Sequence, residues 1–196
     1  LTKPPRIETT EQGHLFIVGE VRNDASFLRW IRLLVSLEYQ GELFAFTTVD
    51  FPVPINPGES RGFTVTDFQG LREQMQAFNP ALEAFNLIVK IEPNLLRDFN
   101  ETPTPLGFEI ELFESLGSSL ILKGTLSNST EGTLHEVTVL ATARSTVGDV
   151  ITAGWVTIAE ALEPEEMAEF ILPLAFPKNA NPVMIEFDVQ AFGFSR

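Results

Sequence analysis

The chain matches itself, and this duplication restricts its fold more than any other feature, because whatever one half builds the other must build again. Leu15, Ile17, Gly19, Val21 and Asn23 recur as Leu120, Leu122, Gly124, Leu126 and Asn128 at a constant offset of 105. Ile31, Leu33, Val35 and Leu37 align with Val137, Val139, Ala141 and Ala143 at 106. Gly41, Pro57, Glu59 and Phe63 match Gly148, Pro164, Glu166 and Phe170 at 107, and Leu87, Val89 and Ile91 match Ile185, Phe187 and Val189 at 98. The first copy therefore holds nine extra residues between Phe63 and Leu87. The offset shifts only where loops should lie, which is where insertions are tolerated.

Within nearly every matched segment apolar residues fall at alternate positions, and Val, Ile and Phe are frequent, the pattern of half-buried strands. Strands are predicted at 15–22, 30–39, 43–51, 61–66 and 86–92 in copy one, and at 120–127, 134–144, 150–158, 167–174 and 183–192 in copy two. Ile7 and Leu112 begin a further edge strand in each. Asn56-Pro57-Gly58-Glu59 predicts a type II turn, since Pro presets the first central φ and Gly accepts a positive second one. Pro164-Glu165 lacks that glycine and predicts type I. In the insertion, Leu71, Met75 and Phe78 share a helical face behind a cap at Thr66 or Asp67, so a short helix is expected there. The sum is an all-β protein of two tandem β-sandwich domains, residues 1–98 and 106–196, joined by a Pro-containing linker at 99–105.

Gly19-Glu20-Val21-Arg22-Asn23, then Tyr39-Gln40-Gly41, then Pro57-Gly58-Glu59-Ser60 ahead of Phe63 is an ordered set that resembles the bacterial FxLYD-type domain. Copy two carries it more faintly, as Gly124, Asn128, Gly148, Pro164 and Phe170. At the segment that names the family, copy one reads Val35-Ser36-Leu37-Glu38-Tyr39, without its aspartate, and copy two reads Ala141-Thr142-Ala143-Arg144-Ser145. The resemblance implies two tandem immunoglobulin-like sandwiches in an envelope or secreted protein. It brings no catalytic residues and no cofactor.

The net charge is -14, with only 13 Lys and Arg spread along the chain, which opposes binding to nucleic acid. There is no cysteine, so disulfides and thiolate metal sites are excluded. No apolar run approaches the roughly 18 residues of a membrane span. A start at Leu1 rather than Met is what either a trimmed chain or a mature fragment with its targeting segment removed would show, and the second would point toward export.

His14 and His135 are the only histidines, and neither sits in a nucleophile elbow, a zinc spacing or a phosphate loop, so no general base is assigned. Glu160, Glu163, Glu165, Glu166 and Glu169 surround the turn at Pro164 but lack the spacing of a calcium loop, and weak or no calcium binding is expected. Trp30, Trp155 and Tyr39 are too few for an obvious sugar platform. Asn128-Ser129-Thr130 and Asn100-Glu101-Thr102 match the glycosylation pattern and read equally well as a turn and a linker.

Strand alternation places Leu43, Ala45, Val49 and Phe51 toward the core and Phe44 and Phe46 on the opposite face, with Trp155 in the corresponding row of copy two. Outward aromatics need a cover, supplied by the inserted helix, the other copy or a partner. Phe44, Phe46 and Trp155 are therefore the candidate interaction surface. The function expected is non-catalytic binding or spacing in the bacterial cell envelope or extracellular space, toward a protein or an envelope component, with any membrane anchor lying outside this sequence. The alternative is a pair of accessory sandwich domains attached to an enzyme outside it. Oligomeric state stays open.

Overall fold

The alternating segments form strands close to where the pattern places them. The computed structural model describes residues 1–66, 84–94, 102–116, 119–181 and 184–195. Copy one contains β1 (Lys3–Thr9), β2 (Leu15–Arg22), β3 (Ile31–Tyr39), β4 (Glu42–Asp50), β5 (Ser60–Val65) and β6 (Phe85–Pro93). Copy two follows with β7 (Pro103–Pro105), β8 (Gly107–Leu116), β9 (Ser119–Ser127), β10 (Leu134–Ser145), β11 (Val150–Leu162), β12 (Met167–Ala175) and β13 (Ile185–Phe194). The short helix expected in the insertion, and Asn100 of one glycosylation pattern, lie outside the described residues.

Every described pairing is antiparallel. The sheet β1-β2-β5 faces the sheet β4-β3-β6, and between them Ile17, Val21, Leu33, Val35, Leu37 and Phe63 are buried. Copy two repeats the arrangement, with β8-β9-β12 facing β11-β10-β13-β7 across Leu120, Leu122, Leu126, Val137, Val139 and Phe170. The chain thus folds as two tandem immunoglobulin-like β-sandwiches. Burying each such Leu, Val or Phe contributes about 1.5–3 kcal/mol, which is why the matched positions are the inward ones. Pro103–Pro105, the end of the segment read as a linker, pairs as an edge strand with Phe192–Phe194, where the missing proline N–H is tolerated.

The motif residues have structural roles that recur in each copy. Gly19 stands directly across from Phe63, and Gly124 across from Phe170. A Cβ on Gly19 would meet the Phe63 ring at 2.6 Å, and one on Gly124 would meet the Glu109 carbonyl oxygen first and the Phe170 ring at 2.9 Å. In each copy the inward phenylalanine lies over the glycine, and in copy two the backbone of β8 also closes on it.

Asn23 and Asn128 are buried and make corresponding bonds. Asn23 Nδ2 donates to Phe27 O and Ile55 O, each at 2.8 Å, and Asn128 Nδ2 donates to Gly132 O at 2.8 Å and Leu162 O at 2.9 Å. Each also ties down the Pro turn. Asn23 N donates to Glu59 O and its own carbonyl accepts from Gly58 N; Asn128 N donates to Glu166 O and its carbonyl accepts from Glu165 N. With both ends fixed, the second turn copies the first. Glu165 has φ 64° where Gly58 has 77°, and the closing bonds Glu59 N to Asn56 O and Glu166 N to Glu163 O are both 3.1 Å. The type I geometry expected at Pro164-Glu165 is therefore corrected: tertiary hydrogen bonds impose a left-handed residue, although a glutamate pays roughly 1–2 kcal/mol for it. Glu165→Gly is expected to stabilise the protein by about 1 kcal/mol, part of the relief being offset by a looser unfolded chain. Urea denaturation of the variant beside the parent measures this, and an unchanged or lower midpoint would contradict it.

Candidate interaction surfaces

The three residues expected to share a surface are separated by the fold. Phe46 lies on the outer face of β4 opposite Ser36 and is 44% exposed. Phe44 turns inward and packs against Phe85 at 5.0 Å and Tyr39 at 6.5 Å between ring centroids. The cause is a bulge: Leu37 pairs with Ala45 but Glu38 pairs with Leu43, leaving Phe44 as the extra residue. Strict alternation therefore fails at this point. Ala45, Val49 and Phe51 are buried as expected, whereas Leu43, assigned to the core, is 66% exposed. Trp155 packs against Phe51 of the other copy at 5.8 Å.

Trp155 belongs to a joint between the sandwiches that the alternation argument did not find. The outer face of β1-β2-β5 lies on the outer face of β10 and β11. Phe16 and Val18 cluster with Val150, while Trp30 and Val53 cluster with Leu140 and Phe194. Trp30 stacks on Phe194 at 5.7 Å. Close approach is possible because Gly62 has no side chain: a Cβ there would meet Thr142 Cγ2 at 2.7 Å and Ala153 Cβ at 3.0 Å. The sequence signal is the continuous apolar run Leu15-Phe16-Ile17-Val18, which marks a strand covered on both faces, while Val137–Ala143 is buried without a break although Thr138 and Thr142 interrupt its apolar residues.

Polar contacts fix the register of the joint. Ala153 N donates to Thr64 Oγ1 at 2.8 Å, Lys178 N to Thr9 O at 2.9 Å, and Arg61 Nη2 to Gln190 Oε1 at 3.1 Å. Arg144 Nη2 bonds Glu20 Oε1 in a partly buried ion pair. Burial opposes the charge on Glu20, but hydrogen bonds from Thr2 and Arg144, with the Arg144 charge, outweigh it and hold the carboxyl below the ordinary 4.5. A carboxylate whose folded pKa is depressed stabilises the fold above its unfolded pKa and loses that contribution as pH falls through the folded one. Glu20→Gln is therefore expected to be less stable than the parent at pH 7 and to lose less stability between there and about pH 3. Parallel acid and neutral urea curves read this directly. Equal losses in the two proteins would remove Glu20 from the account.

The two copies of the first strand treat their free edges differently. In copy one β1 reads Lys-Pro-Pro-Arg-Ile-Glu-Thr, so two prolines and two basic residues guard its edge. It is also held against copy two: Lys3 pairs with Asp149, and Arg6 Nη2 donates to Val150 O at 2.8 Å. Copy two's β8 reads Gly-Phe-Glu-Ile-Glu-Leu-Phe-Glu-Ser-Leu, with no proline and no basic residue. Among the described strands it bonds only to β9. Phe108, Ile110 and Phe113 are 39%, 41% and 40% exposed although they stand across from the inward Leu126, Gly124 and Leu122. Phe113 touches Phe187 edge-on at 4.9 Å. This open flank is the best-formed candidate site.

Nothing comparable gathers around the ionisable residues. His14 is exposed at the β1–β2 turn, and His135 opens β10. In the acidic group near Pro164, Glu166 accepts from Glu163 N at 2.8 Å and Glu163 from Thr133 Oγ1 at 2.7 Å, so these carboxylates brace the turn. Among the described residues no three His, Asp or Glu side chains are grouped to hold a metal ion. Also among them, no helix is long and apolar enough to cross a membrane. A shallow cavity of about 200 Å³ at the joint is lined by Thr64, Thr66, Gly154, Trp155, Pro173 and Leu174 among others, with no ionisable side chain among the described residues of its wall. Asn128 of the second glycosylation pattern is fully buried with both amide hydrogens bonded, which leaves no nitrogen for a glycan in the folded protein.

No protein-family model matches the chain, and no curated protein matches it. Among solved structures, red sea bream transglutaminase superposes with a TM-score of 0.34 at 10% sequence identity, over 97% of this chain. The chain spans 29% of that protein's length.

Proposed function

We propose that this is a non-catalytic binding or spacer protein of the bacterial cell envelope or extracellular space, which holds sheet edges in fixed orientation toward another macromolecule. The joint carries this reading. Two sandwiches locked through Trp30, Phe194, Phe16 and Val150, with the Glu20–Arg144 pair across the same surface, form a stiff stack rather than modules on a flexible tether. A stiff stack suits spacing and display. The resemblance of the Gly-x-Val-x-Asn and Pro-Gly-Glu segments to an envelope-associated domain is what supports the proposed location. Fractionating the source cells with an antibody to this chain tests both parts: recovery in the envelope or medium is expected, and a cytosolic pool carrying hydrolase or transferase activity would overturn the proposal.

A further inference from the structure

We propose that the free edge of β8 takes up an extended, cationic segment of another polypeptide as the fourth strand of the β12-β9-β8 sheet. This deepens the binding-protein reading and rests on it. Three features of one strand coincide. The backbone of β8 pairs on one side only among the described strands, so its other edge presents the donors and acceptors that a new strand needs. Along the inner side Phe108, Ile110 and Phe113 form a half-open apolar row backed by Phe187, and alternate side chains of an added strand would cover that flank.

The third feature is charge, and it selects the occupant. Glu109, Glu111 and Glu114 are the only charged residues between Gly107 and Leu116. Glu109 stands directly across from Thr125 and Glu114 across from Ile121, and the one basic residue of β9, Lys123, stands across from Leu112, diagonal to both, so a single cation serves the acidic side of β8 from within the sheet. An incoming strand with Lys or Arg at alternate positions would set cations beside these carboxylates, where opposite charges on neighbouring strands stabilise a pair. A second copy of β8 would bring its own glutamates to the same places, and like charges there are destabilising. The bulge at Glu111 puts Leu112 across from Lys123 in the outer row, so a segment with Val-type residues toward Phe108, Ile110 and Phe113 and Lys-type residues toward Glu109 and Glu114 meets the apolar and acidic positions on either side of that bulge.

The test uses the whole chain and a capped ten-residue peptide alternating lysine and valine, followed by amide NMR titration at low salt. Shifts and slowed hydrogen exchange are expected along β8, with affinity falling about tenfold or more in Glu109→Lys/Glu114→Lys, where Glu109 is exposed and Glu114 half-buried. The same peptide N-methylated along one edge should not bind, because it keeps the charge but loses the strand-pairing donors. Equal binding by the methylated peptide, unchanged affinity in the reversed variant, shifts outside β8, or no binding at millimolar peptide would each overturn the proposal. Self-association through β8 in sedimentation would do so as well, by naming a second copy as occupant. Cell fractionation decides the broader reading separately, so failure of one is distinguishable from failure of the other.

Discussion

Replacing Asn128 by aspartate is expected to destabilise the protein by about 4 kcal/mol at neutral pH, and by less in acid. The Asn128 amide nitrogen donates to Gly132 O and Leu162 O in a place with no solvent exposure. A carboxylate there would aim an oxygen at those carbonyls and bury a charge whose bonded partners among the described residues include no cation, a combination that typically costs 3–5 kcal/mol. The aspartate's folded pKa would be raised above its unfolded value. The charged form therefore carries the penalty, and protonation on acidification returns part of the lost stability because a neutral carboxyl can donate one bond. Asn128→Ala lacks the charge, removes the bonds to Gly132 O and Leu162 O, and should cost about 3 kcal/mol with no such recovery in acid. Asn23→Asp should behave like Asn128→Asp, since Asn23 makes the matching bonds to Phe27 O and Ile55 O. Urea midpoints at neutral and acid pH give all three comparisons. A loss below about 1 kcal/mol for Asn128→Asp would mean that water reaches the site.

Both asparagines are visible in the sequence only as repeat-matched positions, and the contrast with other residues shows what such matching can reach. Inward positions of β2, β3, β9 and β10 follow from alternation because one face of each meets its own sandwich core. The Gly19–Phe63 and Gly124–Phe170 pairs appear in the sequence as repeat-matched positions, but their meaning depends on register, which brings residues 44 and 46 positions apart into direct opposition. The turn at Glu165 was misread because local propensity favours type I without glycine, whereas two bonds to the Asn128 backbone decide its geometry. Phe44 was misplaced for a related reason: an extra residue in β4 reverses the alternation beyond it, and no side-chain pattern announces a bulge.

The interaction surface was harder still. Trp155 looked outward by register, and it is outward from its own sandwich, but the other copy covers it. The continuous apolar run Leu15–Val18 in β2 carries the clue that this strand is buried twice, whereas in β10 Thr138 and Thr142 interrupt the apolar positions and the double burial is seen only in the structure. The β8 edge was legible only as a strand beginning near Leu112. Its openness emerges from comparison with β1, where Pro4, Pro5, Lys3 and Arg6 occupy the corresponding edge.

Trp30→Ala is expected to lower stability by about 4 kcal/mol and to be felt in both sandwiches. Trp30 is fully buried, stacks on Phe194, and shares its cluster with Val53, Leu140 and Trp155. Truncation removes a large ring and leaves a cavity whose walls come from both copies, so relaxation of either wall must shift the joint. The chain has only two tryptophans, which makes Trp155 the sole indole reporter in the variant. Its emission should move to longer wavelength before global unfolding, as water gains access across the joint. Phe194→Ala should reproduce part of the loss, and the double variant should lose less than the sum of the singles because both remove the same stacked contact. Trp30→Phe keeps an apolar ring in the site and should retain most of the stability. A small loss with Trp155 emission unchanged, or additive losses in the double variant, would mean that the sandwiches do not depend on this contact, and the stiff stack on which the spacer function rests would fail with it.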